Sequence, residues 1–331
     1  MGTRGGKPAR LGKYEDQTGG GHVFECTHDV TTTGKRLLRR SMRLPSLAME
    51  ELRVTGCDGV QLAVRMSSGP GDRSPAFVLV HGLASNARLW DGVIAELTRR
   101  GHPVAAVDLR GHGRSDQPDR GYDMATVADD VALVIDALGW SRPVVVGQSW
   151  GGNVVVELVH RHPDATRLVV GVDGGTIDLG RRFPCWEDCA RRLAPPLLAG
   201  TPRAELERRL REAHPGWPDQ SIDGVLASFR VLDDGTIEPW LTLDHHLQVL
   251  RGLWEHDPFD RFPTITAPVL LLPADDGDAS ATAEMETAVA RALATLPAGR
   301  AHWFRPADHD VHAQHPVELA AALHDAASVL G

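Results

Sequence analysis

Ser149 stands in the run Val144-Val145-Val146-Gly147-Gln148-Ser149-Trp150-Gly151-Gly152-Asn153, with a glycine two positions to either side of it. The three valines read as a buried strand, and the apolar spacing of Val154, Val155, Leu158 and Val159 reads as a helix, so no ordinary loop separates the two. A serine caught in so sharp a strand-to-helix turn has a strained backbone and needs neighbours without a Cβ, which Gly147 and Gly151 supply. This G-x-S-x-G elbow lifts the hydroxyl above the sheet and aims free helix N-terminal N–H groups at the reacting centre. Ser149 is therefore read as a nucleophile. A serine hydroxyl attacks only while a base removes its proton, so a histidine and an acid to orient it are required. Sixteen histidines offer candidates.

The elements that would position these groups alternate along the chain. Leu52-Arg53-Val54 and Gln61-Leu62-Ala63-Val64 read as a hairpin around Gly56-Cys57-Asp58-Gly59. Phe77-Val78-Leu79-Val80 reads as a buried strand, followed by His81-Gly82-Leu83 and a helix with Trp90, Val93, Ile94 and Leu97 on one face. The strand Val104-Ala105-Ala106-Val107 leads into the polar loop that runs from Asp108 to Asp116. A helix capped by Asp123 and closed by Gly139 precedes the opening motif. Strands resume with Leu168-Val169-Val170-Gly171-Val172, Val269-Leu270-Leu271-Leu272 and Ala301-His302-Trp303-Phe304, and a last helix starts at Pro316.

Strands alternating with helices predict an α/β fold with a doubly wound, mostly parallel sheet and chemistry at the carboxyl ends of its strands. His81, Asp108 and Ser149 each fall just past such an end. The stretch 176–262 shows helical patterns at 202–213, 222–231 and 243–256 and no good strand, so it predicts an all-helical cap over that edge. The expected organisation is core at 49–175, cap at 176–262 and core again at 263–331. Residues 1–48 are glycine-rich and carry nine Lys or Arg against four acids. They read as a disordered appendage, with Met49 as an alternative start.

Composition narrows the partners. A net charge of −9 argues against nucleic acid, whose phosphates demand a basic footprint. No run of eighteen apolar residues marks a membrane span and no apolar h-region marks a secretory signal, so a cytoplasmic location is expected. Cys26, Cys57, Cys185 and Cys189 are too few and scattered for a disulfide framework or a zinc site and read as reduced thiols. No G-x-G-x-x-G follows the first strand, so no dinucleotide cofactor is expected, and no metal is either. A small organic substrate fits best, and a homodimer is compatible with it.

The order His-Gly, Asp-Leu-Arg-Gly-His-Gly-Arg-Ser, Gly-Gln-Ser-Trp-Gly and a late histidine resembles an α/β-hydrolase with a helical cap, in the esterase, lactonase and cofactor-free haloperoxidase-like branch. The resemblance covers about residues 52–331. It implies that the base follows the final strand, which points to His309, seven residues before Pro316, over His312 and His315. The usual glycine before it is Asp308 here. It places the acid after Val269–Leu272, near Gly277, and hence on Asp276, with Asp278 or Asp173 as alternatives. It assigns the oxyanion-hole donors to the backbone N–H groups of Leu83 and Trp150. His81, Trp90, His246 and Trp254 are the expected substrate-binding residues. Asp108, Arg110 and His112 are expected to tie their loop down rather than hold a metal.

The chemistry implied is cleavage of a carboxylic ester or lactone through an acyl-enzyme. Aminopeptidase or carbon–carbon bond hydrolase activity on the same fold is the alternative, and a ligand-sensing protein is the alternative of another class. Haloalkane dehalogenases and epoxide hydrolases use a carboxylate nucleophile, which Ser149 argues against.

Overall fold

A computed structural model describes residues 49–68 and 75–329. The expectations for 1–48 lie outside the described residues. The expected hairpin forms from β1 (Glu50–Thr55) and β2 (Gln61–Ser67), with Arg53 opposite Ala63 and Asp58 in a left-handed turn between them. After β3 (Phe77–Val80) the chain turns through α1 (Asp91–Arg99) into β4 (Val104–Val107) and then α2 (Met124–Leu138). The Asp123 carboxylate accepts from Thr126 N at the start of α2, and Gly139 ends it at φ 65°. Next come β5 (Val144–Gln148), α3 (Trp150–Arg161) and β6 (Leu168–Val172).

The segment after β6 contains α4 (Leu179–Arg182), α5 (Trp186–Arg192), α6 (Arg203–Ala213) and α7 (Asp219–Leu226). It continues with β7 (Phe229–Val231), β8 (Ile237–Pro239) and α8 (Leu243–Glu255). The expectation of an all-helical segment is thus corrected, because β7 and β8 pair as an antiparallel hairpin. The predicted helix over 222–231 stops at Leu226. β-branched Val231 and Ile237, around the Asp233-Asp234-Gly235 turn with Gly235 at φ 81°, favour a hairpin over another helical turn. The chain closes with β9 (Val269–Leu272), α9 (Ala279–Thr295), β10 (Gly299–Ala301), α10 (Val311–Gln314) and α11 (Pro316–Ser328).

The main sheet has the order β1-β2-β4-β3-β5-β6-β9-β10, parallel from β4 to β10, with β1 and β2 antiparallel at one edge. Residues of β3 to β6 are buried throughout, as expected of strands covered by helices on both faces. The segment between β6 and β9 has its own apolar cluster. Trp217, Ile222, Leu226 and Ile237 pack with Leu89, which follows β3, and with Ala313 of α10. Among the described residues no helix is long and apolar enough to cross a membrane.

Candidate active site

Ser149 follows β5 with φ 52° and ψ −122°, a conformation L-residues rarely adopt. Close approach of backbones explains the glycines around it. A Cβ on Gly147 would lie 2.0 Å from the Gly151 carbonyl oxygen, and one on Gly151 would lie 2.5 Å from that of His81. The turn is tied to the neighbouring strand by Ser149 N–H donating to Val172 O at 3.0 Å.

The residue after Val172 is Asp173, also at positive φ (41°). In the β5–β6 ladder Gln148 pairs with Val172, so Ser149 and Asp173 leave adjacent strands side by side. Gly174 then passes so near the elbow that a Cβ there would lie 2.3 Å from Ser149 O.

His309 enters from the loop before α10, and its Nδ1 lies 2.5 Å from Asp173 Oδ2. The other carboxylate oxygen accepts from Ala274 N–H at 2.9 Å, which fixes the carboxylate plane. Asp173 is 10% exposed, whereas His309 is 55% exposed. Shielding by the site walls works against the imidazolium, but the hydrogen bond and charge of Asp173 outweigh it and raise the His309 pKa to about 9. With Nδ1 engaged, Nε2 has no partner among the described residues.

The carboxylate that meets His309 is therefore Asp173, one of the two alternatives, and the first expectation, Asp276, is corrected. Asp276 accepts from Asp278 N–H, and Asp278 caps α9 by accepting from Ser280 and Ala281. Asp275 accepts from Gly277 N–H and Thr282 and pairs with Arg305. These three acids build the loop after β9, and none is bonded to His309. Gly277, at φ 88°, serves the same turn.

On the other side of Ser149, the loop after β3 carries Leu83, followed by Ala84 at φ 60°. Neither Leu83 N–H nor Trp150 N–H, the two expected oxyanion donors, has an acceptor among the described residues. Buried histidines hold this loop. His81 Nδ1 donates to Gly82 O and its Nε2 accepts from Leu109 N–H, while His112 Nδ1 donates to Arg110 O and its Nε2 accepts from Ala84 N–H. Each ring thus has one donor and one acceptor nitrogen in use, and burial pushes both pKa values down, so both rings are neutral.

His81 is therefore a buried strut rather than a substrate contact, contrary to expectation. Trp90 is also fully buried, its ring tilted against His312 with centroids 4.4 Å apart. Trp254 donates its indole N–H to Phe183 O and packs on Trp186 within the segment between β6 and β9. His246 is buried on α8 with its pKa lowered by that burial. The Trp150 indole is buried against His112 and donates to Met124 Sδ. The loop after β4 is anchored as expected: Asp108 accepts from Ala87 and Arg114 N–H groups, and Arg110 forms a fully buried bidentate pair with Asp130.

Two residues the sequence reading passed over shape the site. Gln148 Nε2 donates to the main-chain oxygen of His309 at 3.2 Å. Asn153, one turn into α3, accepts from Gly175 and Ile177 N–H groups, donates to Ile177 O, and lies 3.2 Å from His256 Nδ1. It thus holds both the start and the finish of the segment between β6 and β9. The available signal for Asp173 was the Asp-Gly-Gly that follows β6, since two small residues there let the strand end pass under the elbow.

A family model described as the alpha/beta hydrolase fold matches residues 75–202. The 2-(acetamidomethylene)succinate hydrolase of Mesorhizobium japonicum is 30% identical over 198 residues, 60% of this chain and 69% of that protein. The chain belongs to the α/β-hydrolase fold family. This α/β-hydrolase superposes on the crystal structure of an E-2-(acetamidomethylene)succinate hydrolase with a TM-score of 0.68 at 25% identity, covering 84% of this chain and 98% of the other. A putative aryl esterase from Burkholderia cenocepacia shares the fold with a TM-score of 0.66 at 23% identity, over 85% and 99% of the two chains. An uncharacterized Mycobacterium tuberculosis protein is 35% identical over 103 residues, so the chain spans 30% of that curated relative. A non-heme chloroperoxidase of Streptomyces lividans is 42% identical over 108 residues, 33% of this chain and 38% of that protein.

Proposed function

We propose that this α/β-hydrolase cleaves a carboxylic ester or lactone of a small organic substrate through an acyl-enzyme on Ser149. The observation that carries the reading is the 2.5 Å contact of His309 Nδ1 with Asp173, made beside the strained elbow that presents Ser149. In the proposed mechanism His309 Nε2 accepts the Ser149 proton as the oxygen attacks the carbonyl carbon, and Asp173 holds the ring and balances the imidazolium. The carbonyl oxygen becomes an oxyanion, met by the N–H groups of Leu83 and Trp150. One such donor is typically worth about 10²–10³ in rate. His309 then returns the proton to the leaving alcohol, and the same base activates water to release the acid.

Hydrolysis of short p-nitrophenyl esters, with labelling of Ser149 by a fluorophosphonate, tests this reading. No turnover together with no labelling overturns it and leaves a ligand-sensing protein of the same fold. The match to 2-(acetamidomethylene)succinate hydrolase favours one second reading, a substrate bearing a succinate-like dicarboxylate. Turnover of that succinate, measured beside a neutral p-nitrophenyl ester, separates the two.

A further inference from the structure

A cavity of about 780 Å³ opens between the β1–β2 edge of the sheet and the segment from α6 to β8, and none of Ser149, Asp173, Leu83 or His309 lines it. Its walls carry Arg53, Arg65, Arg88, Arg114, Arg203 and Arg230 against Glu51, Asp108 and Asp223. In a chain whose net charge is −9, this gathers six guanidiniums in one concave place. Four of the arginines meet acids: Arg65 pairs with Glu51 and Asp91, Arg88 with Asp91, Arg203 with Glu207 and Arg230 with Glu238. Asp108, the buried acid of the wall, spends both carboxylate oxygens on backbone N–H groups.

Arg53 and Arg114 have no acidic partner among the described residues. The fold brings them together. Arg53 stands opposite Ala63 in the hairpin register, and Ala63 N–H donates to Ser115, the neighbour of Arg114. The rest of the wall is partly apolar, with Phe229 and with Trp240, whose ring lies under the Arg230 guanidinium.

We propose that this cavity binds a small organic polyanion, through phosphate or carboxylate groups held by Arg53 and Arg114 and an apolar or aromatic body laid against Phe229 and Trp240. Guanidinium forks suit both oxyanions, and the volume suits a small molecule. The chain's own leader has the wrong sign for the site, with nine basic residues against four acids. Because the wall draws on both the sheet edge and the segment between β6 and β9, the bound anion links the two.

Titration calorimetry on the full chain at low ionic strength, with inorganic pyrophosphate, citrate and ATP in separate runs, tests the proposal. The expected result is one saturable site for at least one of the three, weakened by added salt. Preference for pyrophosphate and ATP assigns phosphate, and preference for citrate assigns carboxylate. The double variant Arg53→Glu/Arg114→Glu is expected to weaken binding by about tenfold or more while Ser149→Ala binds as the parent does. Both arginines are exposed, and Arg53→Gln/Arg114→Gln provides a milder pair should the charge reversal fail to fold. Absence of saturable binding by all three probes, or undiminished binding by a folded double variant, overturns the proposal. Ester hydrolysis is scored separately and decides only the reading of Ser149.

Discussion

The Gln148 side chain joins the elbow to His309: its Nε2 donates to the main-chain oxygen of His309 at 3.2 Å, and its Oε1 lies where a Cβ on Gly82 would come within 2.4 Å. One buried amide thus touches the loop that carries Leu83 and the loop that carries His309. Gln148→Ala is expected to lower kcat/KM about 10- to 100-fold by letting both loops drift, since displacements of about 1 Å can cost that much. Steady-state kinetics check it. Fluorophosphonate labelling of Ser149 should persist at a reduced rate, and an unchanged kcat/KM would show that the tie is dispensable.

Asp173→Asn and Asp276→Asn should part company. The first removes the charge beside His309 Nδ1 and is expected to lower kcat by about 10³–10⁴. The second alters a turn in the loop after β9 and is expected to stay within about twofold of the parent. Equal losses in the two variants would contradict the pairing.

In the proposed mechanism the proton balance of His309 sets the pH profile. Only the neutral ring accepts a proton from Ser149, so activity rises with pH as the imidazolium is lost. Since Asp173 raises that pKa to about 9, the rising limb of kcat/KM is expected on the alkaline side of imidazole's ordinary 6.5. Asp173→Asn should carry the midpoint back toward neutrality. A midpoint at or below 6.5 in the parent refutes this.

Acid stability is expected to depend on Glu157 of α3. Burial raises its pKa, but His256 at 3.3 Å and Arg261 at 2.8 Å outweigh that and hold it at about 2. A carboxylate depressed on folding stabilises the protein fully above its unfolded pKa and loses that contribution as pH falls through the folded value. Glu157→Gln is therefore expected to cost on the order of 2 kcal/mol at neutral pH. The difference should shrink between the ordinary carboxylate pKa near 4.5 and about 2. Urea unfolding at stepped pH values measures it, and a constant difference would remove Glu157 from the account.

Gly174→Ala offers a steric check. The added Cβ would meet Ser149 backbone at 2.3–2.8 Å, and neither chain has a flexible end to move aside. Loss of soluble protein, or a fall in Tm with loss of labelling, is expected. A stable, fully active variant would show that the close approach is relaxed in solution.

Most strand and helix positions were legible because the determinants are local, although the last strand forms at Gly299–Ala301 and not over the expected 301–304. The valine runs, the Asp123 cap and Gly139 each act within a few residues, and so does the Gly147 and Gly151 spacing. The elbow showed for the same reason. The choice of Asp173 over Asp276 and Asp278 did not, because it depends on which strand end lies beside His309, and a β5–β6 ladder is not written in the spacing after β9. The same holds for His81 and Trp90. Their residue types suit a pocket, but whether they face it or the interior is decided by loops packing from β4 and α10. The hairpin of β7 and β8 escaped because each strand is three residues long, too short to show a period.

Asn153 has a further implication for how such a molecule can be altered. The chain departs at Gly175–Ile177 and comes back at His256, and both points rest on one amide rooted in α3. Between them lies a segment that also packs on Leu89 and Ala313, and whose two chain ends are already neighbours. An exchange of the stretch for one of different length that keeps these two points is expected to leave the sheet and Asp173 in register. Asn153 is the suture that any such exchange has to keep.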